Sequence, residues 1–208
     1  AMVRKIENFS RFLDFAAMTN ANILNYESIG RDAQVPARTI REYYSLLEDT
    51  LMGTIVHPVK STQKRKCISA GKFYFFDVGV LNGVLGRKSV SRKTKEYGFL
   101  FETFIYLELK AYIDYFSQDH KIEFWRIDDE NEVDFVISNE IAIEVKATEL
   151  VQNKHLKGLR KFSEDGATKK KIVVTLDKDR RRIGDIDVIP YKEFLSDLWD
   201  GKIIGPKG

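Results

Sequence analysis

The stretch EVDFVISNEIAIEVK, residues 132–146, decides the fold of the second half of the chain. Two runs of alternating apolar residues flank the turn-forming residues Ser-Asn-Glu, a pattern that predicts a β-hairpin. Because successive side chains of a strand point to opposite faces, we expect Asp134, Glu144 and Lys146 to share one solvent-facing side. The apolar positions are expected to share the other side, which faces the core: Val133, Phe135, Ile137, Ile143 and Val145.

The polar side of this hairpin carries residue types that suit a divalent cation next to a phosphate. Hard cations such as Mg²⁺ prefer oxygen ligands and usually take one or two carboxylates together with water and substrate phosphate. Asp134 and Glu144 can supply the carboxylates, and Lys146 can place a positive charge near the attacking water or the charge that develops on phosphorus. We therefore expect a catalytic site that binds Mg²⁺ or Mn²⁺. The alternative is an ordinary solvated strand face, because Glu-x-Lys is a common tripeptide.

The spacing Asp134-x9-Glu144-x-Lys146 resembles the signature of the PD-(D/E)xK, or restriction-endonuclease-like, nuclease superfamily. Val133 stands where the family name has Pro, at a position that varies within the superfamily. The resemblance implies a core with the element order αβββαβ, and the periodicity of the second half predicts the same order. The predicted elements are a helix at 96–116, strands at 121–127, 132–137 and 141–147, a helix at 151–163, a strand at 171–176 and a closing helix at 191–199.

Glu102 is a candidate third acid for this site. It lies on the predicted helix 96–116, where a helical wheel surrounds it with apolar residues. A carboxylate within an apolar stripe is costly unless it is paired or binds a metal. In the nuclease superfamily the helix before the catalytic hairpin often carries a glutamate, and Glu102 matches that position, so the resemblance implies a role in catalysis and metal binding. The alternative is a carboxylate at the edge of the stripe that pairs with an arginine.

The first half of the chain, residues 1–80, is predicted to be a winged helix-turn-helix domain, followed by a linker at 81–95 and a nuclease-like domain at 96–208. The fold class is thus α/β, and α+β overall. Arg38 and Arg41 lie on the third predicted helix, where a recognition helix would meet the major groove. Acidic neighbours weaken this interpretation, and a protein-contact domain is the alternative. The predicted elements are helices at 6–19, 25–33 and 36–48 and strands at 53–59 and 72–76.

Positive charge is concentrated in residues 57–95, which hold seven lysines and three arginines against one acid, Asp77. A basic surface beside an acidic metal site suits a protein that cuts phosphodiester bonds, because the cations hold the backbone. We therefore expect Lys64, Arg65 and Lys66 to contact nucleic acid, most simply DNA. A solvated loop is the alternative.

The composition limits the class of protein. The chain has 208 residues, 43% of them hydrophobic, which is enough for one large or two small domains with a proper core. Its apolar stretches are too short to span a membrane, and no basic-then-apolar leader is present. Cys67 is the only cysteine, so no internal disulfide is possible. We expect a cytoplasmic location and no membrane partner.

Five further stretches carry a second resemblance, namely YYSLLED at 43–49, GKFYFFDVG at 71–79, GFLFE at 98–102, IEVKAT at 143–148 and HLKGL at 155–159. They resemble the C-terminal part of a prokaryotic family of AAA-superfamily ATPases. In that family a P-loop ATPase domain precedes a winged helix and a restriction-endonuclease-like domain of unknown function. The resemblance covers nearly the whole chain.

This second resemblance implies an N-terminal ATPase domain as a partner that the chain itself lacks. No Gly-x-x-x-x-Gly-Lys-Ser/Thr loop occurs in the sequence, so we expect no ATPase activity from this chain alone. Two functions stay open. One is a nucleic-acid-processing module with a divalent-metal-dependent nuclease site. The other is a catalytically inactive DNA- or protein-binding module that regulates, or is coupled to, an ATPase.

Overall fold

A computed structural model describes most of the chain. Its described residues fold into a mixture of helices and strands, which confirms the mixed α and β class predicted from the sequence. They divide into two compact units, the first from the segments Ala1–Val56 and Ala70–Ser91 and the second from His57–Ser69 and Arg92–Gly208. No described helix is long and apolar enough to cross a membrane. The described residues are 2–60, 69–116, 119–164 and 168–205.

The first unit combines helices with a two-stranded antiparallel sheet. The side chain of Asn25 accepts the backbone N–H of Ser28 and so fixes the start of the second helix, and Gln34 ends it in the left-handed conformation with φ of 55°. At the centre, the buried ring of Tyr44 lies edge-on to Phe12 and Phe73. The elements are α1 (Met2–Met18), α2 (Tyr26–Ala33), α3 (Ala37–Asp49), β1 (Gly53–Val56), β2 (Lys72–Phe75) and α4 (Val78–Val84).

The sequence pattern does not predict α4, which falls partly in the expected linker. Its start is nevertheless encoded locally, because the Asp77 side chain accepts the backbone N–H of Val80 at 2.7 Å. An aspartate at this position caps the first turn of a helix.

The second unit is built around one six-stranded sheet in the order β3-β4-β5-β6-β8-β7. The first three strands are antiparallel, whereas β5, β6 and β8 run parallel, and β7 returns antiparallel to β8. Six of the seven predicted elements are present within one residue at each end, and the β7–β8 hairpin is additional. The helix predicted at 151–163 begins only at Lys157, after a short 3₁₀ turn at Asn153–Leu156. The elements are α5 (Lys95–Phe116), β3 (Ile122–Arg126), β4 (Glu132–Ile137), β5 (Ile141–Lys146), α6 (Lys157–Ser163), β6 (Lys170–Thr175), β7 (Arg181–Ile183), β8 (Ile186–Pro190) and α7 (Tyr191–Trp199).

Helices cover this sheet on both faces, which corrects the expectation of one apolar and one solvent-facing side. Val133 packs in a buried cluster with Leu159 of α6, whereas Phe135 stacks on Tyr106 of α5 with ring centroids 6.0 Å apart. Val133 and Phe135 therefore do not share a face as predicted. The reason is a register shift between β3 and β4 opposite Glu123 and Trp125, which inserts an extra residue into β4.

Candidate functional site

Asp134 is held in place by the end of the ladder between β4 and β5. The pairing runs from Ile137 opposite Ile141 to Phe135 opposite Ile143 and then stops. Beyond that point the Asp134 carboxylate replaces a backbone acceptor of the ladder, because its Oδ2 accepts the backbone N–H of Val145 at 2.7 Å. The irregular β4 strand thus turns a side chain toward its neighbour and fixes the carboxylate against β5.

The ammonium of Lys146 joins the two carboxylates. Its Nζ lies 2.5 Å from Oε1 of Glu144 and 3.7 Å from Oδ2 of Asp134. The structure therefore brings together the three residues predicted from the hairpin. It also corrects their setting, because Asp134 is only 5% exposed and Glu144 only 6%, so neither carboxylate faces solvent as expected. We call Asp134, Glu144 and Lys146 the strand-end cluster.

The strand-end cluster holds two acids and one base in little water, and the pKa values respond to this imbalance. Burial and, after it, the negative charge of Asp134 raise the pKa of Glu144, Lys146 only partly opposes them, and the resulting pKa is about 8. Burial disfavours the charged form of Lys146, yet the charges of Asp134 and Glu144 outweigh burial and raise the pKa of this ammonium. Oε2 of Glu144 is buried and has no hydrogen-bond partner. This carboxylate is thus under-compensated.

Glu102 of α5 is half-buried, and its charge also contributes to the raised pKa of Lys146. Its charge thus acts on the cation of the strand-end cluster from a different element. Within the described residues, no group of three or more His, Cys, Asp or Glu side chains is arranged to hold a metal ion. A role for Glu102 as a metal ligand stays a prediction.

His155 is a neighbour that the sequence analysis does not identify. It lies in a short 3₁₀ turn, Asn153–Leu156, where its Nδ1 accepts the backbone N–H of Gln152 at 3.1 Å. Partial burial lowers its pKa, and the positive charges of Lys154 and Lys146 lower it further. The sequence does not predict this position, because His155 has no metal-ligand spacing to another histidine and its approach to Lys146 depends on the tertiary fold.

The predicted nucleic-acid contacts lie away from this cluster in the sequence. Arg38 is exposed and pairs with Glu42 at 3.3 Å, and Arg41 is exposed and pairs with Glu27 at 3.1 Å. Exposed pairs of this kind are weak, so both arginines can still exchange partners. Lys64, Arg65 and Lys66 lie outside the described residues. Contact with nucleic acid stays a prediction for all five.

Comparison with known families gives two matches. Residues 97–194 match a family described as Domain of unknown function (DUF4143), and residues 1–91 match one described as Domain of unknown function (DUF8612). Each match covers a little under half of the chain, and the first structural unit also ends at Ser91. No curated protein and no solved structure matches the chain. The strand-end cluster lies within the residues of the first match.

Proposed function

We propose that the second unit is a divalent-metal-dependent phosphodiesterase that cleaves nucleic acid. The observation that carries this proposal is the strand-end cluster, in which two buried carboxylates share one ammonium and Oε2 of Glu144 lacks a hydrogen-bond partner. A purely structural ion pair has no reason to bury a second carboxylate, because an unpaired buried charge is costly. A site that receives a cation does have such a reason.

The donor set fits Mg²⁺ or Mn²⁺. Both ions accept carboxylate oxygens, and two carboxylates with water and substrate phosphate are a usual set for Mg²⁺. Asp134 and Glu144 would hold the ion, with Glu102 as an expected helper. The residues present offer no thiolate and no pair of imidazoles, so the set favours a hard cation over zinc among the described residues.

Asp134 and Lys146 of the strand-end cluster then have different tasks. A bound metal ion would polarise a phosphoryl oxygen and make a bound water more acidic. Asp134 keeps its orientation through the N–H of Val145, so its carboxylate needs no reorganisation to bind. Lys146 stays protonated because its pKa is raised, and its charge favours the transition state, in which negative charge builds up on the phosphoryl oxygens.

The element orders support a finer proposal for the fold and the partner. Three helices followed by a two-stranded sheet suit a winged helix in the first unit, and the order α5-β3-β4-β5-α6-β6 suits a restriction-endonuclease-like core in the second. On this basis, and on the resemblance of the five stretches, we propose that the chain is the C-terminal module of an AAA-type ATPase.

A second candidate function is a catalytically inactive module that binds DNA or protein and regulates an ATPase. Two observations favour it. Lys146 neutralises one carboxylate of the strand-end cluster directly. In addition, no three-acid group among the described residues is arranged for a metal ion. A module that has lost catalysis can keep such an ion pair as part of its core.

A cleavage assay separates the two functions. Single-stranded, duplex and branched substrates are incubated with Mg²⁺ or Mn²⁺, with EDTA as the chelator control. Asp134→Asn is the test variant, because an amide oxygen can still accept the Val145 N–H while the charge is lost. Asp177→Asn is the matched control, since Asp177 is also a buried carboxylate of the second unit. We expect Asp134→Asn to slow cleavage by about 1,000-fold or more, equivalent to about 4 kcal/mol, and Asp177→Asn to cleave like the parent.

Two results would decide against the nuclease. Cleavage that survives both EDTA and Asp134→Asn would come from a contaminant. No cleavage of any substrate, with a folded parent chain and no shift in melting temperature on adding Mn²⁺, would favour the inactive regulatory module.

A further inference from the structure

A basic groove runs along α6 in the second unit. It is a cavity of about 590 Å³, and among the residues that the structure describes its charged lining consists of four cations and one carboxylate. We call it the α6 groove. The charged residues that line it are Lys154, Lys157, Arg160, Lys161 and Glu164. None of these is among the nucleic-acid contacts predicted from the sequence.

The α6 groove adjoins the strand that carries Asp134. Gly158 sits so close to β4 that a Cβ built on it would lie 1.8 Å from the carbonyl oxygen of Glu132. Only glycine allows this approach of helix to backbone. The groove is lined on the strand side by Asn131, which directly precedes β4. The backbone of α6 at Gly158 is therefore fixed against Glu132, two residues before Asp134 in β4.

The positive charge of the α6 groove is available to a ligand. Lys154 has no carboxylate within ion-pair distance among the described residues, and neither has Arg160, which donates a hydrogen bond to Asn153 at 3.1 Å. Lys157 pairs with Glu130 and Lys161 with Glu164. The first pair is largely exposed and the second is partly exposed, so solvent weakens both and a phosphate can replace the carboxylate.

A second cavity of the same unit provides a contrast. It measures about 440 Å³ and lies where β6 and β8 end. Its lining combines three cations with three carboxylates, so the charges balance. These residues are Arg92, Lys178, Lys192, Glu149, Asp177 and Glu193. A polyanion gains little there, whereas the α6 groove has a clear excess of positive charge.

We propose that the α6 groove binds the sugar-phosphate backbone of the nucleic acid that the strand-end cluster cuts. This inference rests on the proposed function. Lys157 and Lys161 are one helical turn apart, which spaces their stems about 5–6 Å from each other along one side of α6. A row of cations that begins beside Asn131 can thus hold a phosphate backbone and deliver it toward Asp134. Because the contacts are to phosphate, the α6 groove positions the strand and does not read its sequence.

The test compares two triple variants that remove the same charge. Lys154→Gln/Arg160→Gln/Lys161→Gln empties the α6 groove of three cations, and Arg92→Gln/Lys178→Gln/Lys192→Gln does the same in the balanced cavity. Fluorescence anisotropy measures binding of short DNA duplexes and single strands in EDTA, so that no cleavage occurs, across about 50–200 mM KCl.

We expect the α6 variant to bind duplex at least about 10-fold more weakly at low salt, with a logarithmic salt slope shallower by about 2–3 because each lost phosphate contact removes about 0.9. The control variant should bind like the parent. Single Lys154→Gln should lower the slope by about 0.9, and this variant decides the matter if the triple variant melts below the parent chain.

These experiments can refute the α6 groove and the nuclease activity independently of each other. Equal losses in the two triple variants would overturn the α6 groove, because net charge alone would then explain binding. Equally tight binding of a poly-glutamate probe would also overturn it in favour of an acidic protein partner. Groove-dependent binding without cleavage in Mn²⁺ would keep the groove and refute the nuclease. Cleavage with unchanged binding in the α6 variant would keep the nuclease and refute the groove.

Discussion

The second unit contains two sets of buried charged residues, Asp177 with Arg181 and the strand-end cluster, and their charges are compensated to different degrees. Asp177, 8% exposed, lies 2.6 Å from Arg181 through Oδ2, and its Oδ1 lies 3.3 Å from the Thr175 hydroxyl. One acid thus meets one base, and both carboxylate oxygens have neighbours. The strand-end cluster instead places Asp134 and Glu144 around a single ammonium, so two acids meet one base, and its buried atom without a hydrogen-bond partner is a carboxylate oxygen, Oε2 of Glu144, whereas in the Asp177 pair it is Nε of Arg181.

This difference separates a balanced buried ion pair from an unbalanced one. Breaking a balanced buried pair costs stability because it leaves one charge uncompensated. An unbalanced cluster carries that cost in the native state, and the raised pKa of Glu144 is its signature. Strongly perturbed pKa values collect at functional sites for this reason. The two clusters should therefore respond in opposite ways when the charge of a carboxylate, Glu144 or Asp177, is removed at high pH.

The largest effect is expected for Lys146→Met. This change leaves two buried carboxylates facing each other, so the free energy of unfolding should fall by about 2–3 kcal/mol at pH 8, after allowance for the partial exposure of Lys146. At pH 5.5 the loss should be smaller, because Glu144 has a raised pKa and is protonated there. Urea denaturation at the two pH values measures both losses.

The matched control for this prediction is Lys169→Met. Lys169 pairs with Glu140 at 2.8 Å, but both side chains are largely exposed, so the loss should stay below about 1 kcal/mol. If Lys146→Met lost the same free energy at pH 5.5 and pH 8, the repulsion between the carboxylates would not be the cause.

The residues of the strand-end cluster could be predicted from sequence because the strand period is two. Glu144 and Lys146 are two residues apart on one strand, so they share a side whatever packs against it. Their burial could not be predicted from the alternation alone. A partial signal is present, since residues 135–137 of β4 and 141–143 of β5 are uninterrupted apolar runs, and strands covered on both faces have such runs.

Other features depend on contacts distant in sequence or on signals too short to weigh. The extra residue in β4 arises from its pairing with β3, so the sequence of β4 alone does not predict it. The close approach of Gly158 to Glu132 is likewise invisible without the fold. The β7–β8 hairpin did carry a local signal, Gly184-Asp185, with Gly184 at φ of +63°. Its strands are too short for the two-residue hydrophobic period to be recognised in the sequence.

An intermediate effect is expected for Asp177→Asn, the corresponding change in the balanced pair. Arg181 would keep its bond to the carbonyl oxygen of Val151, 3.0 Å away, but would lose its carboxylate. We expect a loss of about 1–2 kcal/mol at pH 7, because Arg181 is partly exposed and water replaces some of the interaction. Urea denaturation measures it. Asp185→Asn removes a largely exposed carboxylate from its pair with the mostly buried Lys171 and should lose less than about 1 kcal/mol. Equal losses would mean that burial of the carboxylate does not distinguish the two pairs.

The smallest change in the free energy of unfolding at low pH is expected for Glu144→Gln, and this variant contrasts most clearly with Asp177→Asn. The folded pKa of Glu144 is raised above its unfolded value, so the folded chain binds the proton more tightly. The stability due to this proton is therefore complete below the unfolded pKa and is lost as the pH rises toward about 8. Glutamine resembles the protonated carboxyl at every pH. Parent and variant should thus unfold within about 1 kcal/mol of each other at pH 5, and the variant should gain relative to the parent as the pH rises.

Urea denaturation of both chains at several pH values between 5 and 8.5 tests the sign of this change. Glu140→Gln is the control, since Glu140 is a half-exposed carboxylate of the same unit, and the pH dependence of that variant should follow the parent. A Glu144→Gln variant that kept the parent's pH dependence would show that Glu144 is fully compensated in the folded chain. The strand-end cluster would then be a structural pair like Asp177 and Arg181, and the argument for a cation site would lose its electrostatic basis.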